Sequence, residues 1–205
     1  MDLRTRSTII LAVVFAVLAI ALIAWGIIHS SRSTQYKNGV LGINRVNKLL
    51  GKFCSMHRYK LLTNVTLNNG KSTAHVDHVV IGYFGVLLFQ NVQQRGEYFG
   101  DNSLDYWNII DENGEKKQIA SPFSEAVKSE EVLNSMLAHA GIYNVPVEAY
   151  VILSGDPEKT MYNGRKNSQI LNIASLKKLL TNSKYEKDNQ LDIEKIAALI
   201  SGCAK

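Results

Sequence analysis

Apolar residues along this chain follow two periods, and the elements change where the period changes. From Thr8 to Ile28 no charged residue interrupts a run that, at about 1.5 Å of helical rise per residue, is long enough to cross a hydrocarbon layer of about 30 Å. The run predicts a membrane-spanning helix over residues 8–28, behind a short tail at 1–7. It is longer than the apolar core of a secretory signal, about 7–15 residues. Ala19-Ile20-Ala21 lies inside it and Trp25 stands at interfacial depth, so an uncleaved anchor is expected rather than a cleaved peptide. Residues His29 to Lys37, rich in Ser and Thr and without apolar period, read as a tether.

Beyond the tether, Val40, Ile43, Val46, Leu49, Leu50 and Phe53 recur at three- and four-residue intervals and predict a helix with one buried stripe. Tyr59 to Leu67 reads as a strand closed by a turn at Asn68-Asn69-Gly70-Lys71. Ser72 to Ile81 and Val86 to Val92 follow as strands around a four-residue loop, Gly82 to Gly85. Tyr106 to Asp111 and Lys116 to Ala120 form a hairpin about Asn113-Gly114. Pro122 suits a helix start, and the helical period from Ala126 to Ala140 ends at Gly141, a suitable C-cap. Val147 to Leu153 is nearly all apolar and reads as a central strand covered on both faces. Gln169 to Ile173 reads as an edge strand, ahead of helical patterns at Ser175 to Leu180 and Ile193 to Ile200. The fold class expected is α/β, a mixed sheet flanked by helices, with the main domain over 38–160 and a strand–helix–helix extension over 161–205 packed on it.

Composition changes this picture little. Of the 205 residues, 46% are hydrophobic and 20% charged, an ordinary globular balance that excludes a disordered chain. Cys54 and Cys203 lack metal-ligand spacing, so two buried free thiols are expected rather than a zinc site or a disulfide framework. The net charge is +5, of which Asp2, Arg4 and Arg6 together contribute one, leaving +4 after the apolar run. That is compatible with nucleic acid but does not call for it. Arg32, Lys37, Arg45 and Lys48 follow the run while two arginines precede it, which favours a cytoplasmic side for the domain.

One polar residue stands out against the apolar pattern. If Ile81 faces Val86, counting back by twos sets Val79 against Leu88, Asp77 against Gln90 and His75 against Val92, all on one face. A carboxylate on a packed face must be satisfied, so Asp77 is either part of a structural network with Gln90, His75 or backbone donors, or part of an active site.

The stretch Val76-Asp77-His78-Val79-Val80-Ile81-Gly82-Tyr83-Phe84-Gly85-Val86-Leu87-Leu88-Phe89 resembles the signature of the nuclease-related domain (NERD). Gly39 and Gly42 ahead of Val46 and Leu50 resemble its opening helix. Gly96 with Gly100 resembles its "G.i.G" turn, and Trp107 and Ser121-Pro122 followed by Glu125 resemble its tryptophan and its "NPxxQ" helix start. The resemblance runs from about Gly39 to Leu153. It implies the PD-(D/E)xK nuclease-like fold and a link to nucleic acid. Nucleases of this group hold Mg²⁺ or Mn²⁺ on a strand Asp and the Glu of an ExK motif, whose Lys stabilises charge at the phosphorus.

Carried over residue by residue, Asp77 fills the first position, but the ExK positions fall on Gln90, Asn91 and Val92, and the helix Glu position falls on Ile43. Gln90 offers only a neutral oxygen, Val92 carries no charge and Ile43 shares the stripe of Val46 and Leu50. A catalytically inactive homologue acting as a binding or scaffold module is therefore expected, with no cofactor and with the membrane, and nucleic acid or a protein, as partners. Against it stand a divergent nuclease that cuts DNA or RNA with relocated ligands and a purely structural membrane protein. In the divergent nuclease Asp77 and Gln90 would keep a Mg²⁺ or Mn²⁺ ion, with His75 as substitute. Lys71, Arg95 and Glu97 lie near in sequence, the last two flanking the Gly-rich turn. His78 is expected to point away from Asp77.

Overall fold

The hydrophobic run from Val86 to Phe89 is buried along its whole length, because this strand is covered from both sides. The computed structural model of the protein describes residues 15–27, 40–165 and 167–202. Helix α1 (15–27) carries exposed apolar side chains, Phe15, Leu22 and Trp25 among them. Among the described residues no helix is long and apolar enough to cross a membrane. Most of the span expected over 8–28 falls on α1, and its first and last residues, the tether and Cys203 lie outside the described residues.

Helix α2 (Val40–His57) leads into β1 (Lys60–Asn68), β2 (Thr73–Gly82) and β3 (Gly85–Val92). These antiparallel strands join β7 (Val147–Leu153) and β9 (Ile170–Asn172), both parallel to β3 or to its neighbour, in the order β1-β2-β3-β7-β9. One face carries Val79, Ile81, Val86 and Leu88 against α3 (Pro122–His139) and α5 (Ile193–Gly202). The opposite face carries Val80, Leu87 and Phe89 against α2 and α4 (Ile173–Leu180). Strand β7 is covered on both sides, with Ala149 and Val151 in one core and Tyr150 and Ile152 in the other.

The expectation of one mixed sheet is corrected. Strands β4 (Gly96–Phe99), β5 (Tyr106–Ile110), β6 (Lys116–Ala120) and β8 (Thr160–Tyr162) form a second mixed sheet in the order β6-β5-β4-β8. Its Tyr98, Trp107 and Ile109 close the core beneath α3. The stretch from Gly96, expected as a turn, is strand β4. Tyr98 within it is fully buried, and β5 and β8 satisfy its backbone from both sides. Strand β8, three residues with no apolar alternation, had no periodic signal.

Two local expectations are corrected as well. The β2–β3 connection has only Tyr83 and Phe84 outside the ladder, since Gly82 pairs with Gly85, while the facing of Ile81 to Val86 and Val79 to Leu88 holds. The stripe of α2 passes through Gly42, Val46, Leu50, Phe53 and Cys54, which leaves Ile43 half-buried beside it rather than in the core. A Cβ at Gly42 would run into the Ser154 carbonyl, so glycine lets α2 lie against the end of β7. The helix α3 starts as the sequence suggests, with Ser121 at its N-cap accepting from the Ser124 N–H and Pro122 in the first turn.

Candidate functional site

Strands β2 and β3 pair from the Gly82–Gly85 end only as far as His78 and Phe89, and then part. The partners expected beyond that point, Asp77 with Gln90 and His75 with Val92, do not face each other. Strand β1 shows the cause. Thr63 pairs with His78 and Val65 with Val76, but Asn64 and Asp77 between them do not pair, and Asn64 has φ +55°, a conformation that Asn tolerates better than most residues. The side-chain alternation slips there in both strands. Val76, three residues from Val79, enters the same core, and Asp77 is left at the mouth between β2 and β3.

In that mouth the Asp77 carboxylate takes the place of a ladder partner. Its Oδ2 accepts the backbone N–H of Asn91 at 2.6 Å. Its Oδ1 lies 3.7 Å from Nε2 of His75, a half-exposed ring. Gln90 turns toward α3, where its Nε2 donates to the His75 carbonyl and, at 3.2 Å, to Oγ of Ser129. Because a carbonyl only accepts, the amide nitrogen and not the amide oxygen must face it. Ser129 is fully buried and donates in turn to the Glu125 carbonyl at 2.8 Å. Val92 packs at the edge of the α3-side core.

On the other side of the sheet His78 is buried beneath α2, away from Asp77's mouth, as the alternation predicts. Its Nε2 meets Oδ1 of Asn47 at 2.5 Å and its Nδ1 meets Nδ2 of Asn91 at 2.9 Å. Those partners fit a neutral ring that donates from Nε2 and accepts at Nδ1. Burial lowers the pKa of His78 below its ordinary value, against a weaker pull upward from the Asp77 charge. Asn47 and the role of Asn91 were not singled out by sequence reasoning. Their signal is only that Asn91 is a polar residue two positions beyond Phe89 on the α2 face, and Asn47 stands one turn beyond Ile43 on α2. The oxygen of Asn91 is buried without a hydrogen-bond partner among the described residues.

The other polar residues near in sequence are not brought here. Arg95 is buried elsewhere, with Nη1 3.4 Å from Glu112 and Nη2 3.5 Å from Asp156. Glu97 accepts from Asn163 at 3.1 Å, and Lys71 is exposed in the β1–β2 turn. Ile43 is half-buried on α2 and supplies no polar atom.

The donor set does not fit a divalent ion. A hard cation such as Mg²⁺ or Mn²⁺ asks for about six oxygens, several of them anionic. Here one oxygen of the Asp77 carboxylate is committed to an N–H and Gln90 presents nitrogen. Among the described residues no group of three His, Cys, Asp or Glu side chains is placed to hold a metal.

Helices flank two mixed sheets, and an Asp stands where two central strands part, an α/β architecture consistent with a nuclease-like fold. The family model for the nuclease-related domain matches residues 38–154, more than half of the chain. The chain therefore belongs to the NERD, or nuclease-related domain, family. A comparison with curated proteins finds no match, and a comparison with solved structures finds none either.

Proposed function

We propose that this chain is a membrane-anchored NERD module that binds rather than cuts, a nuclease homologue whose catalytic centre has become a structural joint. The hydrogen bond from the Asn91 N–H to Asp77 carries this proposal. In a working site the carboxylate would be held open for a metal and water, whereas here it closes the gap between β2 and β3. The amide of Gln90 reinforces that joint by linking β3 to β2 and α3. Val92 cannot stabilise charge at a phosphorus.

The anchor is the apolar run over 8–28, supported by the exposed apolar side chains of α1, with the domain on the cytoplasmic side. The partner is nucleic acid or a protein held at the membrane. Full chain in detergent, assayed on DNA and RNA with Mg²⁺ or Mn²⁺, is expected to be silent, and calorimetry with Mn²⁺ is expected to show no stoichiometric binding. Cleavage abolished by Asp77→Ala would replace this proposal with the divergent nuclease, for which the approach of His75 to Asp77 is the supporting observation. Nucleic acid as partner requires oligonucleotide affinity that falls as salt rises. Affinity absent even at low salt would leave the protein partner.

A further inference from the structure

The two helical layers of the first sheet differ in the sign of their charge. Helices α2 and α4 touch each other on one face and share the core around Val46, Leu50 and Leu176. Their sequences carry Arg45, Lys48, Lys52, Lys177 and Lys178 and no carboxylate. Helices α3 and α5, on the other face, carry Glu125, Glu130, Glu131 and Glu194 against Lys128 and Lys195. Ordinary surfaces mix both signs, so this separation across the sheet gives the domain a positive side at α2 and α4.

The positive side is turned to solvent. Lys48 and Lys52 stand one turn apart on α2, away from its buried stripe of Val46, Leu50 and Phe53, and both are exposed, as are Lys177 and Lys178 on α4. Among the described residues none of these four lysines pairs with a carboxylate, whereas Lys60 pairs with Glu194 at 2.8 Å and Lys184 with Glu148 at 2.9 Å. The helix starts follow the same division. Helices α3 and α5 have Glu125 and Glu194 in their first turns, while α2 and α4 have no acid there to offset the partial positive charge of the helix end.

Chain order says what this side meets. Helix α2 is the first element of the domain, and Val40 stands twelve residues beyond Ile28, the end of the apolar run, a stretch that spans at most about 40 Å. With the run in a bilayer, α2 is held within that distance of the headgroups, and a tethered surface outcompetes partners free in solution. The cytoplasmic leaflet is negative and attracts lysines that come within a Debye length of it.

We propose that the α2–α4 face docks the domain on the anionic phospholipid headgroups of the membrane that holds its anchor. The proposal rests on the anchor reading and adds an orientation to it: Lys48, Lys52, Lys177 and Lys178 face the lipid, and the α3–α5 side is left for a partner.

The test is lysine footprinting of the full chain in nanodiscs of phosphatidylcholine, with or without phosphatidylserine at about one third of the lipid. An amine-reactive reagent labels surface lysines, and mass spectrometry reads each rate. Lys48, Lys52, Lys177 and Lys178 are expected to be labelled about five-fold or more slowly in the anionic discs, with Lys128 and Lys195 unchanged, and salt at about 1 M should abolish the difference. Lys48→Gln with Lys52→Gln, both at exposed positions, should restore the labelling of Lys177 and Lys178. Equal rates in the two kinds of disc overturn the proposal, as does slowing shared by Lys128 and Lys195, or slowing of Lys177 and Lys178 that is undiminished in the double variant. An oligonucleotide that slows the four lysines further in anionic discs would assign the face to nucleic acid and overturn it too. Release of the chain from liposomes by alkaline carbonate refutes the anchor, and with it the tether on which the docking rests. Retention of the chain with equal labelling leaves the anchor standing and refutes the docking alone.

Discussion

The Asp77 carboxylate stands 2.6 Å from the backbone N–H of Asn91, across the point where β2 and β3 part. An N–H at that place would otherwise have a strand partner. The carboxylate supplies one, and the anion makes the bond stronger than a neutral one.

Asp77→Ala should therefore destabilise the protein, by about 1–3 kcal/mol, the range for stripping a partner from a buried polar group. Chemical denaturation midpoints of the two forms measure it. A catalytic carboxylate held open for substrate usually behaves the other way, because its removal relieves an unfavourable arrangement. A more stable Asp77→Ala protein would thus speak for a retained active site.

Gln90→Glu, which places the Glu that the resemblance implies at this position, should not create a metal site. The substitution removes the donor to the His75 carbonyl and to Ser129 and adds a second carboxylate near Asp77. A loss of about 1–3 kcal/mol without metal is expected on the same ground. Thermal melts with and without Mn²⁺ check it, and a large Mn²⁺-specific gain in melting temperature would show that the mouth can still hold an ion.

The buried ring of His78 makes stability depend on pH. Burial, opposed by the Asp77 charge, holds its folded-state pKa below the ordinary value of 6.5. Below that value the unfolded chain takes up a proton that the folded chain refuses, so stability falls as the solution is acidified from pH 6.5 toward the folded pKa. The slope approaches about 1.4 kcal/mol per pH unit at most, one proton's worth. Denaturation at a series of pH values should show this slope in the native protein and a flatter one in His78→Leu.

Cys54 is expected to be inert in the native state. Burial pushes its thiol up to about 12, and the thiolate is the reactive form. In a Cys203→Ser background, a thiol reagent at neutral pH should label Cys54 far more slowly in the folded than in the denatured protein. Labelling of the folded protein as fast as in denaturant would contradict its packing in the α2-side core.

Much of the architecture was legible because it depends on local periodicity. The stripe of α2, the capped start of α3, the β5–β6 hairpin and the apolar run of β7 all repeat a pattern within one element. The family, too, was legible in the stretch from Val76 to Phe89, whose glycines and apolar alternation make one hairpin. The second sheet was not. Strands β4 and β8 are three or four residues long, and they pair with each other, Gly96 with Thr160, from distant parts of the chain. No period develops over so few residues.

By itself the sequence determined the family and the central hairpin, because the glycines and apolar alternation from Val76 to Phe89 all lie within one local stretch. Only the tertiary structure decided what Asp77 does. Extrapolating the pleat put it opposite Gln90, but the slip of alternation at Asn64 and Asp77 turns it to the mouth and onto the Asn91 N–H. A strand's pleat is a local rule, whereas the place where two strands part, and which loops meet beyond their ends, depends on everything packed against them.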